Sequence, residues 1–525
     1  MRNIERFLYA FNKPLQKKKR KMKKTIIFAI SFAFASTAIA QNLTDGLRYG
    51  NDFTTGTARF TAMSGAFGAL GGDMSAIAIN PAGSAVFLQN GATFTVGVNG
   101  IDSDAVYFNE NTLSSENDLN ISQAGGVFIF ENAQEGSKWR KFSLAVNYNQ
   151  TSSHDNDLFI SGLGNTSIAS FFTEQAQGIS LDVLQLGSGE SIPDVYSFLG
   201  ETRGSGAQNA FLGFQGFVID PVNDDPGNTQ YVSNTGTGRF SQDYIHLSQG
   251  QNGKYTFNLG AQYGENLYFG INLNSHIIDY EESTLIIENN SNLGSSVDRI
   301  QFENNLSVIG AGFSAQLGTI AKLNDFRLGF TYDTPTWFII SEETSQYLET
   351  RRTVDNQSIT EIVNPRVINV FEDYNLRTPG KYTGSAAYIF GKDGLLSFDY
   401  SYKDFSSIKF SPSSDPAFAI QNQIISNTLK GVSSFKVGGE YRIHELSIRG
   451  GLSYEESPYQ DDTILGDRQG FSFGLGYNLG NYTFDLAYSR AEQSRNQQLY
   501  NVGLTDTASI DTVYNNFLFT LGFNL

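Results

Sequence analysis

The sequence predicts an all-β fold, a transmembrane antiparallel β-barrel of about 14 strands, on three observations. Apolar and polar residues alternate in segment after segment from Gly91 almost to the last residue. Each segment has roughly the 9 to 11 residues that a tilted strand needs to cross a bilayer. The segments are joined alternately by short turns and by long polar connections. After Gln41 no apolar run is long enough to cross as a helix, which takes about 18 residues.

Residues 1–40 have the three parts of a secretory signal peptide. Lys17 to Lys24 is strongly basic, and Thr25 to Phe34 is apolar but too short to cross a bilayer as a helix. Ala38-Ile39-Ala40 then forms a small-x-small cleavage site. We therefore expect Sec-type export. The alternative, an uncleaved membrane anchor, conflicts with the shortness of the apolar run.

Cleavage would leave a mature chain that begins at Gln41 and is strongly acidic. Residues 1–21 precede Met22, which would open a signal peptide of ordinary length, and we interpret them as an upstream mis-start. Because residues 1–40 hold ten Lys/Arg and one Glu, the remainder carries a formal net charge of −26. Such a chain is a poor partner for nucleic acid. The absence of cysteine excludes disulfides and thiolate metal sites.

A compact run of small residues, 59–83, lies between the signal peptide and the first strand. Four of its small residues recur at helical spacing and predict a short helix that lies close to other backbone: Ala62, Gly65, Ala66 and Ala69. Gly71-Gly72-Asp73 would end this helix. Asn80-Pro81 predicts a second turn, because proline forces the preceding residue out of the helical region. We expect the run to pack inside the fold.

The same run resembles the FadL/TodX family of outer-membrane transporters for long-chain fatty acids and other hydrophobic compounds. The residues that carry the resemblance are Gly65, Ala66, Phe67, Asp73, Ser75, Ala76, Asn80, Pro81, Ala82 and Gly83. The resemblance implies that residues 41–90 form a hatch, a plug of short helices in the lumen, and that residues 91–525 form a barrel of fourteen strands around it. It also implies the outer membrane of a Gram-negative bacterium and a hydrophobic small-molecule ligand, with outer-membrane lipid as the other partner.

The alternation of apolar and polar residues is by itself regular enough to place fourteen strands. They centre on Phe94, Val127, Leu144, Phe257, Phe269, Ala311, Leu328, Ala386, Phe398, Val437, Ile448, Phe473, Phe484 and Phe519. The turns that follow the even-numbered strands are short, such as His444-Glu445. The connections that follow the odd-numbered strands are long and polar: 151–238, 279–302, 334–379, 404–430, 456–468 and 491–511. This segregation of loop length by side is typical of outer-membrane barrels, whereas a soluble sandwich or propeller has no reason for it.

The long extracellular segment 151–238 is too long for a structureless loop. Ile168 to Gln177 and Ile179 to Leu186 have helical character. Four phenylalanines make the segment apolar and are candidates for capture of a greasy ligand: Phe198, Phe211, Phe214 and Phe217. The alternative is that they form a small core of the segment itself. In the family that the hatch resembles, loops on this side carry the first ligand site, which favours capture.

The last strand carries a run of residues on one face up to the terminus: Val513, Asn515, Phe517, Phe519, Leu521, Phe523 and Leu525. Such an ending resembles the signal by which barrel-assembly machinery recognises its substrates. The last residue is Leu525 where an aromatic residue is usual, but Phe523 lies on the same face. Barrel-assembly machinery is therefore an expected partner.

Strand parity also assigns charged residues to the lumen. The turn at His444-Glu445 places Glu440 opposite Arg449, with both side chains inward. Further inward charges are Lys141, Arg327, Lys381, Asp399, Lys436, Arg442 and Asp485. We interpret them as residues that hold the hatch and hydrate the lumen. The sharper alternative is that Arg449, Arg442 or Arg327 binds a ligand carboxylate.

No catalytic residue, cofactor or metal site is predicted. The run 470–474 matches the G-x-S-x-G pattern, but it lies in an alternating strand with no helix after it, so the strained nucleophile elbow is missing. The histidines, at 154, 246, 276 and 444, show no metal-ligand spacing. Asp461-Asp462 and Asp279 to Glu282 could bind calcium, although solvated surface charge is more common.

We therefore predict a non-enzymatic, monomeric barrel that passively transports long-chain fatty acids or other hydrophobic small molecules. The expected steps are capture in 151–238, transfer into the wall or lumen, and release past a shifted hatch. One alternative is a surface receptor or adhesin, whose long loops would bind a macromolecule. A second is a receptor for haem or another aromatic ligand, for which His154 and His246 are the histidines near the long segment.

Overall fold

A computed structural model describes residues 43–51, 53–355 and 357–525, and most of them lie in strands. The predicted signal peptide lies outside the described residues. The strands are β1 Gly91–Tyr107, β2 Glu110–Glu131, β3 Trp139–Ser153, β4 Asn156–Gly164, β5 Ile219–Pro221, β6 Tyr231–Ser233, β7 Phe240–Tyr263, β8 Leu267–Asn289, β9 Val297–Leu323, β10 Phe326–Asp333, β11 Trp337–Val354, β12 Gln357–Val363, β13 Asn369–Val370, β14 Tyr374–Arg377, β15 Lys381–Phe390, β16 Gly394–Asp404, β17 Lys409–Ser411, β18 Gly431–Ile443, β19 Leu446–Glu455, β20 Arg468–Asn478, β21 Tyr482–Gln498 and β22 Thr507–Asn524.

Short helices occur before the first strand and in two of the connections. They are α1 Leu43–Gly50, α2 Ala58–Ala62, α3 Ala169–Ala176, α4 Leu181–Leu184, α5 Ile192–Arg203, α6 Ser205–Gln215 and α7 Pro416–Thr428, with 3-10 helices at Ser75–Ala78, Pro81–Val86 and Phe405–Ser407. In the part of the chain that the structure describes, no helix is both long and apolar enough to cross a membrane.

The main sheet closes into an antiparallel barrel of fourteen strands. Closure is made by β1 and β22, which pair from Gly91↔Asn524 to Val106↔Ser509. Some barrel strands are interrupted: β3 continues as β4, and β10 continues as β11. All fourteen predicted strand centres lie in barrel strands, so the predicted fold class is confirmed.

The two faces of the wall differ as the alternation predicts. On β7 and β8 the outward Phe257, Leu259 and Phe269 are exposed, whereas the inward Asn258 and Asn272 are buried. Outward apolar side chains can face hydrocarbon, while inward amides and hydroxyls bond to one another and to the hatch. The wall is therefore a transmembrane barrel with a polar interior.

The predicted strand lengths and loop bounds were wrong on the long-loop side. β8 continues to Asn289 and β9 begins at Val297, so the connection predicted as 279–302 is a hairpin of strand. The connections 334–379 and 491–511 likewise contain strand, in β11, β12, β21 and β22. Outside the bilayer neither face of a strand must be apolar, so these extensions carry little alternation and resemble polar loops. Their backbones still pair across the extended wall.

A helical cap, formed by residues 165–239, covers the long-loop end of the barrel. Its helices α3 to α6 share one buried cluster with side chains from the extended strands, among them Tyr107, Leu158, Phe302 and Ile510. The predicted helices correspond to α3 and α4, whereas α5 and α6 lie in a part of the segment where no helix was predicted. Because several strands contribute to this cluster, the cap lies over the mouth of the barrel.

Candidate functional site

The hatch lies in the lumen towards the short-turn end, where a cavity of about 340 Å³ remains beside it. The helix predicted over residues 62–69 does not form: α2 ends at Ala62, because Ser64 and Gly65 adopt positive φ values of 51° and 76°. Gly71 and Gly72 also have positive φ and form the predicted turn. The hatch then continues through two 3-10 helices to the first strand. Its small residues are packed against the wall, and Ala62, Ala66 and Ala69 are fully buried.

A belt of wall glycines receives the hatch. At each of them a Cβ atom would approach a hatch or wall atom more closely than 3.0 Å, a separation that real Cβ atoms do not show. The members of this glycine belt are Gly260, Gly270, Gly318, Gly329, Gly438, Gly451 and Gly474. Gly260, Gly270 and Gly318 are neighbours in register on β7, β8 and β9, and face Asn80, Pro81 and Ser84 of the hatch. The inner wall therefore presents bare backbone, without side chains, where the hatch touches it.

The hatch residues singled out from the sequence hold this contact together. The Asn80 side chain accepts from the Ala82 N–H at 3.1 Å and donates to the carbonyls of Gly68 (2.7 Å) and Thr319 (3.1 Å). Asp73 accepts hydrogen bonds from Thr57 Oγ1 and from the Ser75 N–H. The remaining predicted hatch residues are buried: Gly65, Ala66, Phe67, Pro81, Ala82 and Gly83.

One buried carboxylate, Glu440, ties the hatch to the wall. It accepts from Arg59 of the hatch at 2.8 Å, from Arg449 at 2.7 Å and from Arg442 at 2.6 Å, and its side chain has no exposed surface. Arg449 also bonds to Asp485. Arg327 donates to the carbonyl of Leu70 at 2.7 Å. These four charged residues of the predicted site therefore contact the hatch or one another on its short-turn side.

A second group of charges lines a cavity of about 100 Å³ directly above the hatch, on its long-loop side. This lysine cavity is lined by Lys254, Lys381, Lys403 and Lys436, together with Asp399 and Glu455. Lys436 donates to Thr54 of the hatch segment at 2.9 Å, and Lys381 lies 3.3 Å from Asp333. The lysines come from β7, β15, β16 and β18, so four strands bring them together.

A larger chamber of about 550 Å³ adjoins the lysine cavity on its long-loop side. The two share Asn51, Phe53, Phe405 and Glu455 in their walls. The apolar lining of the chamber includes Leu47, Tyr244, Tyr459 and Ile464. The phenyl ring of Phe53 packs 5.4 Å from the ring of Tyr514 and under the guanidinium of Arg468. A ligand in the chamber would therefore meet aromatic and charged groups together.

The wall is interrupted beside this chamber. The β2–β3 ladder ends at Gln123↔Asn149, and beyond it β4 pairs with β7 but forms no ladder with β2 among the described pairings. The Thr151 carbonyl instead accepts from the Phe53 N–H at 3.0 Å. Side-chain hydroxyls bridge the gap: Thr112 donates to the Phe159 carbonyl at 2.6 Å, and Ser114 accepts from the Phe159 N–H at 2.9 Å.

The four capture candidates do not come together. Phe211 is fully buried in the cap core and Phe214 packs against the same cluster, as in the alternative prediction of a core within the segment. Phe198 is 60% exposed and Phe217 is 39% exposed, with the Arg352 guanidinium 4.0 Å from the Phe217 ring centroid. Phe211 is a packing residue, because a helix pair needs an apolar core of its own.

The histidines considered as haem ligands both line the chamber. His154 lies between β3 and β4, where its Nε2 is 3.0 Å from Asn252 Oδ1, and burial lowers its pKa to about 4. Burial also lowers the pKa of His246. Ser472 of the G-x-S-x-G run lies inside β20, and its hydroxyl is hydrogen bonded to Ser64 of the hatch. Within the described residues no cluster of potential metal ligands is found.

Several residues of the site were missed in the sequence analysis. Lys254 and Lys403 were not assigned inward, and Phe53, Thr112 and Ser114 belong to no motif. Inward parity was a signal for Lys254, because its neighbours Tyr255 and Phe257 alternate outward. No sequence pattern indicates the wall interruption, because a strand that lacks one neighbour still alternates apolar and polar residues.

No protein-family model matches the sequence, and no curated protein is significantly similar to it. Solved structures do match. A Pseudomonas aeruginosa FadL homologue aligns with a TM-score of 0.50 at 13% identity, over 90% of this chain and 99% of that chain. The Pseudomonas putida toluene transporter TodX aligns with a TM-score of 0.49 at 13% identity, over 90% and 99% of the two chains. This chain therefore has the FadL-type fold, a fourteen-stranded barrel closed by an N-terminal hatch.

Proposed function

We propose that the protein is an outer-membrane transporter that passively moves hydrophobic small molecules, with long-chain fatty acids as the preferred class. The observation that carries the proposal is the adjacency of the chamber to the interrupted wall, since Ser152, Ser153 and His154 line the chamber where the β2–β3 ladder ends. A hydrophobic ligand in the chamber can pass laterally through the wall into the bilayer without breaking backbone hydrogen bonds between paired strands.

Lateral exit replaces the expected release past a shifted hatch. Moving the hatch would break the bonds of Glu440 and separate the closely packed glycine belt from Asn80 and Pro81. Separating a buried charge from its partner lowers the stability by about 3–5 kcal/mol. Parting the gap breaks two side-chain hydrogen bonds, which contribute about 0.5–1.5 kcal/mol each. The wall route is the less costly one.

The lysine cavity favours ligands with a carboxylate head group. Four ammonium groups surround the cavity, and at close range a carboxylate gains charge-assisted hydrogen bonds from them. The apolar tail would lie in the chamber above. This arrangement supports fatty acids over uncharged hydrocarbons.

Cross-linking the wall gap is expected to block transport. The chain has no native cysteine, so Ser114→Cys with Phe159→Cys provides a single thiol pair, joined by a short bifunctional reagent. We expect uptake of labelled oleate, in cells lacking their own transporter, to fall to background after cross-linking and to recover with a cleavable reagent.

The matched control is Ser103→Cys with Ser114→Cys, which joins two strands that already pair. Cross-linking that pair should leave uptake unchanged. Unchanged uptake after complete cross-linking of the gap pair would reject lateral exit, and no uptake by the wild-type barrel would reject the fatty acid class.

Removing one ammonium group tests the head-group site. Lys436→Met is expected to weaken oleate binding about tenfold, in line with the loss of one charge-assisted hydrogen bond, while toluene uptake stays the same. Binding is measured by displacement of a fluorescent fatty acid from barrels in nanodiscs. Lys409→Met, at an exposed lysine outside the cavity, is the control. Equal oleate affinity in both variants would contradict this role.

A further inference from the structure

Two cations face each other on the short-turn side of the hatch. Lys322 on β9 and Arg327 on β10 are directly paired in register. Both point into the lumen, because their neighbours Leu323 and Leu328 are exposed outward and Arg327 contacts the hatch. Like charges directly opposite each other on a sheet destabilise it. We therefore expect a bound negative charge to compensate this pair of cations.

Neighbouring strands extend this pair into an arc of hydrogen-bond donors, which we call the donor arc: Lys141, Tyr268, Lys322 and Arg327. The Lys322 ammonium donates to the Tyr268 hydroxyl at 2.7 Å, which leaves the hydroxyl proton available. Lys141 donates to the carbonyl of Phe87, the residue that ends the second 3-10 helix of the hatch. Arg327 donates through one nitrogen to the Leu70 carbonyl, so the remaining N–H groups of its guanidinium can bind a ligand.

The carboxylates near the arc form no close ion pair with its cations. Glu131 lies opposite Lys141 in register, and Asp325 lies in the turn between β9 and β10. Among the ion pairs of the described residues, neither forms one with a member of the arc, and no carboxylate pairs with Lys322 or Arg327. Three cations therefore share one stretch of inner wall.

We propose that the donor arc binds a small oxyanion, a phosphate or a carboxylate, on the short-turn side of the hatch. The anion lies between Lys322 and Arg327, accepts from the Tyr268 hydroxyl, and relieves the repulsion between the two cations. Since Lys141 and Arg327 also donate to hatch carbonyls, the bound anion joins wall and hatch. The oxyanion is either a free solute or the head group of an amphiphile that enters from the short-turn end of the barrel.

Equilibrium dialysis of the full-length barrel in detergent tests the site with labelled phosphate, acetate and decanoate at constant ionic strength. We expect saturable binding of one anion per barrel, weakened at least about tenfold in Lys322→Gln. Lys392→Gln, which removes an exposed lysine from the turn 391–393 at the same end of the barrel, should bind as the wild type does. Binding of phosphate and acetate identifies a free oxyanion, whereas binding of decanoate alone identifies an amphiphile head group.

A charge reversal separates loss of the site from loss of the fold. Lys322→Glu replaces the repulsive pair by an attractive one with Arg327, so we expect a higher unfolding temperature together with loss of anion binding. No saturable binding of any of the three anions to the wild type, or equal binding by wild type and Lys322→Glu, would overturn the proposal.

Discussion

Glu440→Gln is expected to free the hatch from the wall and to lower the free energy of unfolding by about 3–5 kcal/mol. The carboxylate accepts from three guanidinium groups, Arg59, Arg442 and Arg449, and has no exposed surface. A neutral amide leaves Arg59 and Arg449 facing each other with little exposure to water, and its NH₂ group cannot accept. The loss is larger than for an exposed ion pair, because Arg59 and Arg449 have little contact with water.

Limited trypsin digestion measures the position of the hatch directly. The Arg59 side chain is 19% exposed and bonds to Glu440 of the wall in the seated hatch, so cleavage after Arg59 reports its release. We expect rapid cleavage in Glu440→Gln and an earlier unfolding midpoint in urea. Arg442→Gln is the matched control, because the Arg442 side chain is 48% exposed and Glu440 keeps two partners, so the loss should stay below about 1 kcal/mol. Wild-type protease resistance in Glu440→Gln would show that other contacts hold the hatch.

A methyl group in the glycine belt is expected to displace the hatch without any change of charge. A Cβ atom at Gly270 would overlap the backbone of Pro81 and Ala82, and one at Gly318 would overlap the Asn80 side chain. Because both sides of the contact at Gly270 are backbone, neither can rotate away. We expect Gly270→Ala to cost about 1–3 kcal/mol, typical of overpacking, with a greater loss when Gly318→Ala is added.

Single-channel conductance in planar bilayers measures the displacement of the hatch. We expect wild-type barrels to be closed and the Gly270→Ala/Gly318→Ala barrels to conduct, since a shifted hatch opens the lumen to ions. Gly384→Ala provides the control, because a Cβ atom at Gly384 meets nothing within 4 Å. If the double variant stays closed, the hatch must adjust to the added methyl groups without leaving its seat.

The sequence by itself determined the barrel and the segment that fills it. Apolar positions such as Phe257 and Phe473 alternate with polar ones, and this local pattern follows from a wall with lipid on one face and polar groups on the other. Inward parity likewise assigned Glu440 and Arg449 to neighbouring positions across a two-residue turn, where register follows from the turn. Asn80-Pro81 indicated a turn for the same local reason, because proline restricts the residue before it.

Only the tertiary structure decided how these parts act on one another. The glycine belt is contributed by strands far apart in sequence, and no residue near Gly270 in the chain indicates that its Cβ position lies against Pro81. The lysine cavity collects Lys254 and Lys436 from opposite parts of the chain, and the wall gap depends on which neighbour β4 pairs with. Strand alternation reports the environment of each residue but not the identity of its partner, so contacts between distant strands leave no local pattern.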